Sequence, residues 1–84
     1  MIVDSVTERV RGFIITDLGW TGTADQLTND LLLIDEGALD SLGIVNLVTF
    51  LESSYGITVE DHEIVPANLG SLTSIEQYVL AKKN

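Results

Sequence analysis

Residues 41–56 read Ser-Leu-Gly-Ile-Val-Asn-Leu-Val-Thr-Phe-Leu-Glu-Ser-Ser-Tyr-Gly, and their periodicity decides the fold. Ile44, Leu47, Val48, Leu51 and Tyr55 recur at i, i+3, i+4, i+7 and i+11, one apolar stripe along a helix. Leu42, Asn46, Thr49 and Ser53 fall on the opposite face, with Val45 and Phe50 on the flanks. Gly56 stands where a left-handed cap ends such a helix.

The same period recurs on both sides of this segment. From about Asp4 to Leu18, Val6, Val10, Phe13, Ile14 and Leu18 are spaced as on a helix face; Asp4 or Ser5 serves as its cap and Gly19 as its stop. Residues 19–30 are rich in turn formers and read as a long loop, pinned by Trp20, Leu27 and the apolar run Leu31 to Ile34. That run has no partner strand of comparable quality, so it is not assigned as a strand. A short helical turn is expected around Glu60 to Val65, bounded by Pro66. A last helix starts near Ser71 or Thr73, buries Leu72, Ile75, Tyr78 and Val79, and ends on Lys82 and Lys83, where the helix dipole favours cations. The expected fold is all-α: a small four-helix bundle of three main helices and one short one, with a long loop between the first two.

At 84 residues, 45% of them hydrophobic, the chain suits one domain across residues 1–84 with one modest core. No cysteine is present, which excludes disulfides and thiolate metal sites. No basic leader precedes an apolar run and no apolar stretch approaches a bilayer span, so a cytoplasmic monomer is expected. The net charge is −9, and the only cations are Arg9, Arg11, Lys82 and Lys83. Of the 13 acids only Asp4 and Glu8 precede Gly12; the other 11 lie in 12–81, which has no Lys or Arg. Such a surface repels phosphate backbones and anionic lipid, which argues against nucleic acid and membrane as partners and for proteins with basic patches. Acids also confer solubility without any partner.

Chemistry is concentrated in Gly37-Ala38-Leu39-Asp40-Ser41-Leu42-Gly43, where a serine opens the strongest helix after a long irregular stretch. The plain explanation of Ser41 is an N-cap, accepting from a backbone N–H and contributing ~1 kcal/mol. The same corner is also reachable by another enzyme. A phosphodiester formed there would sit at the positive end of the helix dipole, near unpaired N–H groups.

Asp40-Ser41-Leu42 at the start of the second helix, flanked by Leu39 and the run Val45 to Leu51, resembles the acyl carrier protein family. Glu52-Ser53-Ser54-Tyr55-Gly56-Ile57 resembles that family's acidic-aromatic exit from the helix, and Asn68-Leu69-Gly70-Ser71-Leu72 its approach to the last one. The likeness covers nearly the whole chain and implies a non-catalytic carrier. Ser41 would receive 4'-phosphopantetheine from coenzyme A through a phosphopantetheinyl transferase, and Asp40 would help present it. The resemblance further implies that Asp40, Leu42, Gly43, Asn46 and Thr49 meet partner enzymes. These are the transferase, a cargo-loading acyltransferase or adenylating ligase, and downstream synthase enzymes of the fatty-acid or polyketide type. The apolar stripe of the second helix is a candidate lining for an acyl chain, or plain core.

One departure bears on the pathway. Carriers of fatty-acid synthesis place acids on the outer face of this helix, whereas this chain has Gly43, Asn46 and Ser53 there, and Glu52 is the only acid between Leu42 and Tyr55. Discrete carriers of specialised pathways are similar in this respect, including those for polyketide units and for amino acids such as D-alanine; a peptidyl carrier is a further alternative. Gly43 costs a first helical turn ~0.5–1 kcal/mol against alanine, so close approach of a partner or of the arm is one reason for it.

Other classes fit less well. A serine hydrolase needs a base, and the one histidine, His62, lies among Glu60, Asp61 and Glu63 with no Gly-x-Ser-x-Gly elbow anywhere. An EF-hand with Gly37 at its sixth position would put Leu32 at its first ligand, so no metal site is expected. An unmodified acidic helical adaptor explains bundle and charge but leaves the placement of Asp40-Ser41 to chance.

Overall fold

In the computed structural model, which describes residues 5–83, three helices account for most of the chain: α1 (Val6–Asp17), α2 (Ser41–Tyr55) and α4 (Leu72–Lys83). A four-residue α3 (Pro66–Leu69) and 3-10 turns at Ala24–Gln26 and Asp61–Glu63 complete the order, and no strand occurs among the described residues. At 12, 15 and 12 residues the main helices are near the ~12–15 residues at which isolated helices are marginal in water, so packing must hold them. α4 packs against α1, α2 and α3 and serves as the hub of the bundle. Leu72, Ile75, Tyr78 and Val79 on α4 are buried, as are Val6, Val10 and Ile14 on α1 and Leu47 and Leu51 on α2. Each large side chain of this kind contributes about 1.5–3 kcal/mol.

Local signals set most boundaries. Ser5 Oγ accepts from Glu8 N at 3.1 Å and caps α1; Asp4, the other candidate cap, lies outside the described residues. Gly56 has φ 67° and its N–H closes the last turn of α2 on Glu52 O, a left-handed conformation that glycine adopts without Cβ strain. Ser71 Oγ accepts from Ser74 N at 3.1 Å at the start of α4. Pro66 does more than bound the preceding turn: it is the first residue of α3, where a missing N–H breaks no helical bond.

The apolar run before α2 behaves differently from the expectation that it pins the loop as a unit. Leu33 is fully buried and Leu31 half-buried, whereas Leu32 is 56% exposed and Ile34 points largely outward. The cause is a turn: Leu33 N donates to Gly70 O at 2.8 Å, and Glu36 N donates back to Leu32 O at 2.9 Å. The loop is held from several sides, by buried Leu27, by half-buried Trp20 with its Nε1 on Thr23 O, and by Thr73 N on Asn29 O.

All four cations are engaged within the fold. Arg11 donates to Leu27 O at 2.8 Å and pairs with Glu8 and Asn29, tying the loop to α1. Arg9 and Lys83 both lie over the Tyr55 ring, at 5.2 and 5.9 Å from its centroid. Lys82 Nζ donates to Glu63 Oε1 at 2.9 Å, and that oxygen also accepts from Tyr78 OH and Glu60 N at 3.0 Å.

This hub fastens the 61–63 turn to α4. The Glu60 N–H, then Lys82 and Tyr78, hold the Glu63 carboxyl down at about 2, against 4.5 for a free glutamate. Burial, then the Glu63 carboxylate, push the Tyr78 phenol up to about 12. A depressed carboxyl stabilises the fold in full above the unfolded value and loses that contribution as pH falls from about 4.5 to about 2. Relative to wild type, Glu63→Gln should therefore show a flatter loss of melting temperature across that window, read by circular dichroism. Parallel acid limbs in the two proteins would mean that the hub adds nothing.

Candidate functional site

Asp40, not Ser41, is the N-cap of α2. Its backbone is extended (φ −99°, ψ −173°) and its Oδ1 accepts from Gly43 N at 2.7 Å. The reason lies upstream. Leu39 is fully buried and its N–H bonds Leu33 O at 3.1 Å, so the chain leaves the core extended at Asp40 and turns helical one residue later. Ser41 thus occupies the first helical position, exposed and without a capping duty. Its N–H and that of Leu42 are among the leading donors that no helical carbonyl can reach.

The position of Gly43 corrects the expectation that it belongs to the outer face. Gly43 is buried; a Cβ there would lie 3.1 Å from Asp40 Oδ1 and 3.5 Å from Leu18 Cδ1. Glycine at 43 lets the cap carboxylate and the end of α1 close over the first turn of α2, an intramolecular reason. Asn46, Thr49 and Ser53 are exposed as expected, and Leu42 is 69% exposed. Val45, placed on the flank by the sequence, is 60% exposed and joins Leu42 one turn below Ser41. Its i+3 spacing from Leu42 was the available signal.

Glu52, the one acid of α2, is turned away from that face: its Oε2 accepts from Val59 N at 2.9 Å and fastens the chain after the helix. The exposed face of α2 is therefore neutral, with two apolar side chains near its N-terminus. Beside it a cleft of about 220 Å³ has Asp17, Leu18, Asp40, Leu42, Gly43 and Asn46 among its lining residues. The Phe13–Phe50 stack, with centroids 4.4 Å apart and planes at 20°, joins α1 to α2. No sequence spacing announced that pair, because it depends on how the two helices dock.

His62 is exposed in the 61–63 turn. Among the described residues no three potential metal ligands of the His, Cys, Asp or Glu type come together, and no helix is long and apolar enough to cross a membrane. An exposed, uncapped hydroxyl at a helix start, beside an open cleft, can accept a phosphoryl group delivered from outside.

No protein-family model matches the chain. It is similar to an acyl carrier protein of Petrotoga mobilis, 34% identical over 64 residues that cover 76% of this chain and 73% of that protein. An acyl carrier protein of Akkermansia muciniphila is 33% identical over 76 residues, 90% of each chain.

Proposed function

Because the chain belongs to the acyl carrier protein family, we propose that it is a non-catalytic carrier whose cargo rides as a thioester on 4'-phosphopantetheine attached to Ser41. The observation that carries this reading is the first-turn geometry of α2. With Asp40 as the cap, the Ser41 hydroxyl is exposed and free to be modified. In the modification the Ser41 oxygen forms a phosphodiester with the pantetheine phosphate of coenzyme A. Adenosine bisphosphate departs, and the hydroxyl proton passes to a base on the transferase.

The arm supplies the thiol that this cysteine-free chain lacks. Asp40 holds the corner in shape, and its carboxylate is committed to Gly43 N. Leu42 and Val45 offer a small apolar anchor, with Asn46 and Thr49 as neutral rim. Partners in this reading are the transferase, a loading acyltransferase or adenylating ligase, and downstream synthases, met one at a time by a monomer built as a single domain over 1–84. Tethering replaces a dilute encounter by a high effective concentration, so docking needs little affinity. The neutral outer face of α2 supports a specialised pathway with dedicated partners over general fatty-acid synthesis. Efficient turnover of the loaded carrier by a complete fatty-acid synthase would contradict that part.

Intact mass after incubation with coenzyme A and a permissive phosphopantetheinyl transferase tests the attachment. A gain of one phosphopantetheine that disappears in Ser41→Ala is expected. An unchanged wild-type mass would overturn the carrier reading in favour of an unmodified helical adaptor.

A further inference from the structure

The end of α1 carries its charge the wrong way round. Asp17 is the last residue of that helix, and the last turn holds no basic side chain. Helix C-termini favour cations, so a carboxylate there opposes the dipole and weakens the helix. Asp17 is exposed, and among the described residues no ion pair or hydrogen bond holds its carboxylate. The chain has no spare cation to offer: residues 12–81 lack Lys and Arg, and all four cations are engaged elsewhere. A local rule broken without compensation inside the fold marks a functional position.

Packing sets this carboxylate beside the corner that bears Ser41. Phe13 and Phe50 stack at 4.4 Å and clamp α1 to α2; Asp17 follows Phe13 by four residues, and Asn46 precedes Phe50 by four. Each therefore lies one helical turn from the stack. Both border the open trough between the two helices and the cleft that Asp40 and Leu42 also line. The missing Cβ of Gly43 lets Leu18 close on the first turn of α2, which brings the end of α1 to that tip. Asp40 is committed to Gly43 N, so Asp17 is the uncommitted acid of the cleft.

Building on the assignment of Ser41 as the modified residue, we propose that Asp17 and Asn46 receive an arginine of the phosphopantetheinyl transferase, across the seam between α1 and α2. The Asp17 carboxylate and the Asn46 carboxamide oxygen are acceptors for the N–H fork of a guanidinium. Leu18 and the Phe50 ring offer apolar surface to its plane, which a lysine ammonium uses less well. The transferase must reach Ser41 before any arm exists, so it covers this corner; later enzymes meet the thiol at the arm's far end. With no acid on the outer face of α2, Asp17 supplies the charged contact next to the apolar Leu42 and Val45.

Transferase kinetics with the unmodified protein as the varied substrate test the anchor. Asp17→Asn should raise KM about fivefold and leave kcat nearly unchanged. Asp25→Asn, which removes the same charge from the Ala24–Gln26 turn, should leave both within about twofold. The Asp17→Asn protein should also melt about 1–5 °C higher, because an acid has left the negative end of α1. A poorer substrate that is a more stable protein has not lost its fold. The side-chain amide of Asn46 should shift when transferase without coenzyme A is added, and shift less in Asp17→Asn. Equal losses in the two charge variants would reduce Asp17 to general attraction and overturn the anchor. So would a loss carried by kcat alone, a lowered melting temperature, or shifts confined to Leu42 and Val45. Absence of any mass gain on Ser41 in the wild type sinks both readings, whereas a mass gain with an unchanged KM for Asp17→Asn sinks this one alone.

Discussion

Leu47→Ala is expected to lower the unfolding free energy by about 2–5 kcal/mol, while Leu42→Ala, five residues earlier on the same helix, should change it by less than about 0.5 kcal/mol. Leu47 exposes none of its surface and belongs to the buried cluster that joins the helices, so its removal leaves a cavity in the packed core. Leu42 is 69% exposed and touches little. Small domains have only about 5–15 kcal/mol in total, so the first variant should be close to unfolding at 37 °C. Urea titrations followed by circular dichroism measure both. If the two leucines proved equal, α2 would not bury the face described here. Leu42→Ala serves a second purpose: a fold left intact with slower modification at Ser41 would identify Leu42 as a docking contact.

The second large effect is at Gly70. A Cβ at that position would fall 2.4 Å from Pro66 O and 3.2 Å from Pro66 C, atoms of the backbone that can retreat only by unwinding α3. Gly70 O also accepts from Leu33 N, the bond that holds the loop against the start of α4. Gly70→Ala should therefore destabilise by about 1–3 kcal/mol through overpacking. Gly12→Ala should do the opposite. Gly12 is exposed inside α1 with nothing within 4 Å of its would-be Cβ, and alanine in a helix interior is worth about 0.5–1 kcal/mol over glycine. Denaturant midpoints that move in opposite directions for the same chemical change are the expected result. A neutral Gly70→Ala would mean that α3 gives way without cost.

Much of the architecture was legible because helices are written locally. The stripe from Ile44 to Tyr55, a cap at Asp4 or Ser5 and the stop at Gly56 each depend on residues within about four positions, which is the reach of helical geometry. Less legible was anything requiring distant segments to meet. The apolar run Leu31 to Ile34 looked uniform, but Leu32 and Ile34 face outward because a bond from Leu33 N to Gly70 O orients the turn. The Glu63 carboxylate gathers Tyr78 and Lys82 from α4, and no motif marks that convergence.

Sequence alone determined that the chain is helical, that its strongest amphipathic helix begins at Asp40-Ser41, and that cations are absent from residues 12–81. Each follows from residue type and spacing. Only the tertiary structure decided which of two good capping residues would cap, that Gly43 is buried beneath Asp40 and Leu18, and that α1 and α2 leave a trough between them. Aspartate and serine are nearly equal as caps, and burial of Leu39 against the rest of the core tips the choice. That leaves the hydroxyl at position 41 free.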